Sequence, residues 1–188
     1  RIIVRVSENG GVGREWNVLA VARQGAVRPA LAALSEFGRF RTSPYPRVLT
    51  GLIDGRDHSS SAVERAGQNP AVTASVGRMV EFEASVVFPG DDLTETLCEE
   101  FAPLAARVCG KSFYLRTRLR GLKGRLEHPA VERALGAFLL ERAASEGQPA
   151  RVTFEDPDLV VAVEVVGRRA GYVFLDRNAR SLPLAKLR

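Results

Sequence analysis

Lysine is almost missing from this chain: Lys111, Lys123 and Lys186 are the only lysines among 27 cationic side chains, and the other 24 are arginines. A composition bias alone gives such a count, yet arginine is also the residue whose rigid fork of donors suits phosphate and whose plane stacks on bases. Cysteine is scarce too. Two thiols, Cys98 and Cys109, are too few for a disulfide framework, and their placement on one helical pattern predicts packing as small hydrophobes. His58 and His128 have no cysteine or carboxylate cluster near them in sequence, so no metal and no other cofactor is expected. No apolar run approaches the ~18 residues that span a bilayer. The opening "RIIVRVSENGG" lacks the apolar core of a secretory signal, so the expectation is a cytoplasmic protein with no membrane partner.

The most telling absence is of acids. From Lys111 to Arg125 there are six cations and no Asp or Glu, while the whole chain carries 27 Lys+Arg against 22 Asp+Glu. Outside this window the count is 21 against 22, so the formal net charge of +5 arises inside it.

What is present is ordinary for a globular protein: 45% hydrophobic and 26% charged residues, in 188 residues that make one large domain or two small ones. "WNVLAVA" (16–22) reads as a buried strand, and "VRPALAALSEFG" places Val27, Leu31, Leu34 and Phe37 on a helix stopped by Gly38. "RFRT" and "RVLTGLI" read as strands around the turn Ser43-Pro44-Tyr45-Pro46. The polar stretch from "DGRDHSSS" to "RAGQ" reads as a loop. "NPAVTASVG" reads as a short helix capped by Asn69 with Pro70 in its first turn. "VEFEASVVF" reads as one strand, Val80, Phe82, Ala84, Val86 and Phe88 facing one way and Glu81 and Glu83 the other. That order is β-α-β-β-α-β, the ferredoxin-like arrangement, with "RIIVRV" as an extra strand and "NGGVG" (9–13) as a hairpin tip.

"PGDD" (89–92) breaks the pattern and sets the expected boundary, giving domains 1–91 and 92–188 in a fold of the α+β class. A helix with Leu97, Phe101, Leu104 and Val108 on one stripe follows, which Pro103 should kink or split. After Gly110 the strand "SFYLRTRLR" sorts Phe113, Leu115, Thr117 and Leu119 to one face. Tyr114, Arg116, Arg118 and Arg120 fall on the other, with the guanidinium groups about 7 Å apart. Lys123 and Arg125 lie in the glycine-loosened loop beyond. "HPAVERALGAFLLERAASEG" reads as a helix with Val131, Leu135, Phe138 and Leu139 inward, and Gly136 in its middle suggests a close approach of another backbone. "ARVTF", "LVVAVEVVG" and "GYVFLD" complete the chain as strands, the middle one apolar on both faces, with "DPD" (156–158) as the turn before it.

Catalytic motifs fail one by one. Gly110-Lys111-Ser112 lacks the glycine five positions before Gly110, where Ala105 stands, and is followed by a strand pattern instead of a helix, so it is no phosphate loop. "NGGVG" lacks dinucleotide-binding spacing, and no nucleophile elbow occurs. The chain therefore reads as a non-enzyme. A charge run often marks a solvated face. Here the missing acids, and Tyr114 beside the arginines to stack on a base, favour nucleic-acid contact through Lys111, Tyr114, Arg116, Arg118, Arg120, Lys123 and Arg125. Arg39, Arg41 and Arg47, around the proline turn, are candidates for a second RNA contact.

In order and spacing, "SFYLRTRLRG", "VERALGAFL" and "DPDLVVAVEVV" resemble the THUMP domain, an RNA-binding module of tRNA-modifying proteins; Asp156 stands where that family usually has Asn. The resemblance covers roughly residues 93 to 176. The first half is similar to the N-terminal ferredoxin-like domain that precedes many THUMP domains, and "WNVLAVARQG" resembles the start of the adaptors that support tRNA cytidine acetylation. The resemblance implies a non-catalytic adaptor that holds the acceptor stem and 3′ end of tRNA for a separate enzyme, such as an N4-cytidine acetyltransferase. The residues after 176 are too few for a methyltransferase, pseudouridine synthase or thiolation domain. The alternative is the RNA-binding portion of a longer enzyme of one of those kinds.

Overall fold

The computed structural model describes residues 15–53 and 61–185. The opening "RIIVRV" and "NGGVG" lie outside them. Within them the chain divides into two compact units, one of residues 15–85 and 178–185 and the other of residues 86–177. The division falls between Ser85 and Val86, earlier than the expected break at 89–92, and the C-terminal segment returns to the first unit.

The first unit is built on strands β1 (Val18–Ala22), β2 (Arg39–Thr42), β3 (Val48–Leu52) and β4 (Val76–Glu81), in the order β2-β3-β1-β4. Every neighbouring pair is antiparallel. Helix α1 (Val27–Leu34) joins β1 to β2, and α2 (Ala62–Gly67) and α3 (Pro70–Ser75) lie between β3 and β4. The apolar core gathers Val18, Ala20, Leu34, Leu49, Val72 and Met79, with Leu184 and Ala185 of the C-terminal segment. Asn17, buried, ties strand ends together: its amide donates to the Ile53 carbonyl and accepts from the Ile53 N–H, both at 2.8 Å. Asn69 caps α3 as expected, accepting from the N–H groups of Ala71 and Val72. Two expectations fail here. Helix α2 occupies part of the stretch read as a loop, because Ser61 caps it by accepting from the Glu64 N–H at 3.1 Å and Glu81 accepts from the Ala62 N–H at 2.7 Å. "VEFEASVVF" is two strands, since β4 ends at Glu81 and β5 (Ala84–Val87) belongs to the other sheet. Glu81 and Glu83 are accordingly half-buried and do not form a solvated face.

The second unit carries a mixed sheet of order β5-β9-β8-β6-β7, with β6 (Ser112–Arg120), β7 (Arg151–Val152), β8 (Leu159–Val166) and β9 (Arg169–Asp176). β6 runs parallel to both β7 and β8, while β8 and β9 form an antiparallel hairpin through Gly167, whose φ is 64°. β8 is buried along nearly its whole length, as its two-sided apolar sequence requires. Helix α4 (Leu93–Phe101) passes at Pro103 into a 3-10 segment, Ala102–Val108, so Cys98 and Cys109 do not share one helix, and both are half-buried free thiols. Helix α5 (His128–Ser145) buries Val131, Leu135 and Leu139, while Phe138, and Leu104 of the 3-10 segment, are half-buried. Phe101 is fully buried and meets Tyr172 and Phe174 edge-on at 5.2 and 5.5 Å, a contact worth about 2 kcal/mol or more from apolar burial alone. A short helix, α6 (Arg177–Ser181), follows β9.

Candidate nucleic-acid interface

Strand β6 alternates as its sequence dictates. Phe113, Leu115 and Thr117 are buried, and on the opposite face Tyr114, Arg118 and Arg120 are half-buried while Arg116 is exposed. The partners on β8 change the meaning of that face. In the parallel register Tyr114 lies beside Val160, Arg116 beside Ala162, Arg118 beside Glu164 and Arg120 beside Val166. Glu164 is 2% exposed. Arg120 donates to Glu164 Oε2 at 2.5 Å, and Arg118 Nε stands 3.7 Å from Oε1. A buried carboxylate without cationic partners costs several kcal/mol, so these two arginines are bound to the fold before any ligand arrives.

The expectation of a row free of acids is corrected by this geometry: the acid is absent from β6 and present on the neighbouring strand, 44 residues away from Arg120 in sequence. Arg125 is also paired, with Asp91 at 2.8 Å, but both partners are about half exposed and water screens the pair strongly. Arg116, Lys111 and Lys123 remain exposed, with no ion-pair partner among the described residues. The hairpin adds cations that sequence reasoning missed: the Gly167 N–H donates to the Arg120 carbonyl at 3.0 Å, bringing exposed Arg168 to the end of the arginine strand. A double arginine at a glycine turn, Arg168-Arg169, was the available signal.

Two contacts hold β6 in place. At its start, Asp158 accepts from the Ser112 N–H at 2.8 Å and from the Ser112 hydroxyl at 2.7 Å, and its own N–H donates back to Ser112 Oγ. These bonds from Ser112, aided by Arg177 and Arg151, hold the Asp158 carboxyl below its ordinary titration range. Asp156 sits in the left-handed region at φ 40° and also pairs with Arg177, whose guanidinium is pushed up by that partner. Asp is among the residues that adopt this conformation more readily than most. Further along, β7 pairs only with Ser112 and Phe113, leaving an edge of β6 beyond it. α5 closes part of that edge: Glu132 accepts from the Thr117 N–H at 2.7 Å, and His128 Nδ1 lies 3.0 Å from the Thr117 carbonyl, which requires a proton on that nitrogen. Gly136, one turn further along α5 than Glu132, also faces β6, its Cβ position 3.5 Å from Leu115 Cδ1. The neighbour is a side chain rather than the backbone the sequence suggested.

Tyr114 has a partner that sequence reasoning also missed. Its ring centroid lies 5.5 Å from that of Phe154, which follows β7 and is 78% exposed. The remaining candidates belong to the first unit. Arg39 and Arg47 are exposed, whereas Arg41 is half-buried and engaged by a neighbour. Phe40 between Arg39 and Arg41 packs over Gly51, so the two arginines fall on the opposite face of β2. Arg47 holds a left-handed φ of 64° in the turn before β3.

Burial, with Glu95 next to it, pushes the Cys98 thiol up, so it stays protonated at neutral pH. Among the described residues no group of three or more His, Cys, Asp or Glu side chains is placed to hold a metal ion, and no helix is long and apolar enough to cross a membrane.

No protein-family model matches this sequence, and no curated protein matches it either. Solved structures do match in fold. PH1313 from Pyrococcus horikoshii Ot3 superposes with a TM-score of 0.52 at 12% identity, over 85% of this chain and 54% of that one. A 4-thiouridine synthetase solved with RNA and ATP gives 0.51 at 13%, over 86% and 42%. TrmN from Thermus thermophilus gives 0.51 at 19%, over 91% and 49%. The chain spans about half the length of each of these structures. Together they show a THUMP-like fold of the mixed α/β kind.

Proposed function

We propose that this chain is a tRNA-binding adaptor, with the β6 face of its second unit meeting RNA and the modifying chemistry carried by a separate enzyme such as an N4-cytidine acetyltransferase. The observation that carries it is Arg116: an exposed guanidinium, without an ion-pair partner among the described residues, in line with Arg118 and Arg120 and flanked along the chain by Lys111 and Lys123. Such cations neutralise phosphates and release counterions. Similarity in fold to a 4-thiouridine synthetase solved in complex with RNA supports RNA as the ligand. In this reading the first unit is the ferredoxin-like domain of the pair, its antiparallel β2-β3-β1-β4 sheet supporting that assignment. Its Arg39 and Arg47 supply the second contact, the tRNA acceptor stem and 3′ end are the target, and the protein works in the cytoplasm.

A second reading is favoured by one fact: the chain spans 42% to 54% of its structural neighbours. In it the same surface belongs to the RNA-binding part of a longer tRNA-modifying enzyme, a methyltransferase, a pseudouridine synthase or a thiolation enzyme. Both readings predict tRNA binding, and both predict that this chain alone, given tRNA and acetyl-CoA, a methyl donor or ATP, leaves the nucleosides unmodified by mass spectrometry. Modification by the purified chain contradicts both. Restoration of cytidine acetylation by adding a separate acetyltransferase favours the adaptor.

A further inference from the structure

At the start of β6 the structure assembles a feature that phosphate binding does not need. Phe154 is 78% exposed and Val152 45%, the two exposed large apolar side chains among the described residues. Exposing a phenylalanine ring forgoes the stabilisation that its burial would give. The ring is not isolated, because Tyr114 stands against it at 5.5 Å between centroids, with the planes tilted by 44°. The register sets cations on both sides. Arg151 is paired with Ser112, so alternation puts it on the face that bears Tyr114, one pleat before it, and Arg116 follows one pleat after, about 7 Å further on. Both arginines are exposed. Of the three acids that follow Phe154, Asp156 and Asp158 pair with Arg177 and Glu155 is exposed.

We infer that Phe154 and Tyr114 form a stacking platform for an unpaired RNA base, with Arg151 and Arg116 holding the phosphates on either side of it. The inference rests on the RNA-binding reading and narrows it to a single-stranded segment at the start of β6. Bases inside a duplex are stacked on both faces, so the ring has no π-face to meet along a helix. An unpaired nucleotide offers both parts the platform takes, a π-face for the rings and flanking phosphates for the guanidinium groups. Specificity for base identity is not built in, because every base has such a face.

The test uses the full chain and two labelled RNAs, a hairpin carrying a short single-stranded tail and the same hairpin ending blunt, titrated by fluorescence anisotropy. Wild type binds the tailed hairpin more tightly. Phe154→Ala weakens binding of the tailed RNA on the order of tenfold and leaves the blunt RNA unchanged. Because Phe154 is exposed, the variant folds, and its unchanged blunt-hairpin affinity verifies that. Phe154→Trp keeps the affinity, and its indole emission is quenched by the tailed RNA but not by the blunt one. An equal loss on both RNAs, no loss on either, or an unquenched indole overturns the platform. If wild type binds neither RNA, the RNA-binding reading itself falls. If wild type binds both in a salt-dependent manner and Phe154→Ala changes neither, the platform alone falls, and the exposed ring is left to a protein partner.

Discussion

Arg120 donates at 2.5 Å to Glu164, a carboxylate only 2% exposed on the adjacent parallel strand. The arginine most deeply set in the basic run is thus also the counter-ion of a buried acid. Arg120→Ala is therefore expected to lower unfolding stability by about 2 to 4 kcal/mol, because it leaves Glu164 with the more distant Arg118. Adding Glu164→Gln, which removes the buried charge, recovers part of that loss. Denaturant titrations of the two single variants and the double variant give the coupling directly, and additive effects would show that the pair contributes nothing.

The Asp158–Ser112 contact gives a pH dependence of known sign. The carboxyl is held below its ordinary value in the fold, chiefly by the Ser112 N–H and hydroxyl. Its contribution is complete above the ordinary carboxylate range and is lost as pH falls through the lowered, folded-state value. The stability difference between wild type and Asp158→Asn is expected to be constant near neutral pH and to shrink below about pH 4. A difference that stays the same from neutral to strongly acidic pH would contradict the assignment.

Gly136 is buried in α5, and a methyl group added there would lie 3.5 Å from Leu115 Cδ1, an ordinary contact distance. Gly136→Ala is therefore expected to stabilise the protein by up to about 1 kcal/mol through helix propensity. A fall in the thermal midpoint would show that α5 and β6 pack more tightly than this distance indicates.

Helix α2 lies hidden in a polar stretch, yet Ser61 and Glu64 stand at the spacing of a capping box. Ser61→Ala should cost about 1 kcal/mol, measured by denaturant titration, by removing the acceptor for the Glu64 N–H.

Features set by neighbouring residues were legible in the sequence: the Asn69 cap of α3, the end of α4 before Pro103, the alternation of β6 and the two-sided burial of β8. What failed depended on partners distant along the chain. Period-two alternation continues through residues 80–88 whichever sheet the backbone joins, so the passage from β4 to β5 left no mark. In sequence Glu164 is one acid inside an apolar strand, and only the parallel register sets it beside Arg118. Phe154 ends an apolar strand pattern in sequence, but β7 is two residues long, and the ring stands outside it beside Tyr114.

In the proposed function, exposed cations of the β6 face, Arg116 first among them, meet the phosphates of tRNA. The most direct measurement is the affinity of wild type and Arg116→Ala for tRNA over a series of salt concentrations, with unfolding curves for both proteins. For wild type, log K is expected to fall linearly with log salt. Arg116→Ala should bind more weakly, its slope shallower by about 0.7 to 0.9 because one phosphate is no longer neutralised, and its stability should be unchanged. Equal affinity and equal slope for the two proteins would contradict it and leave Arg116 a solvated surface charge.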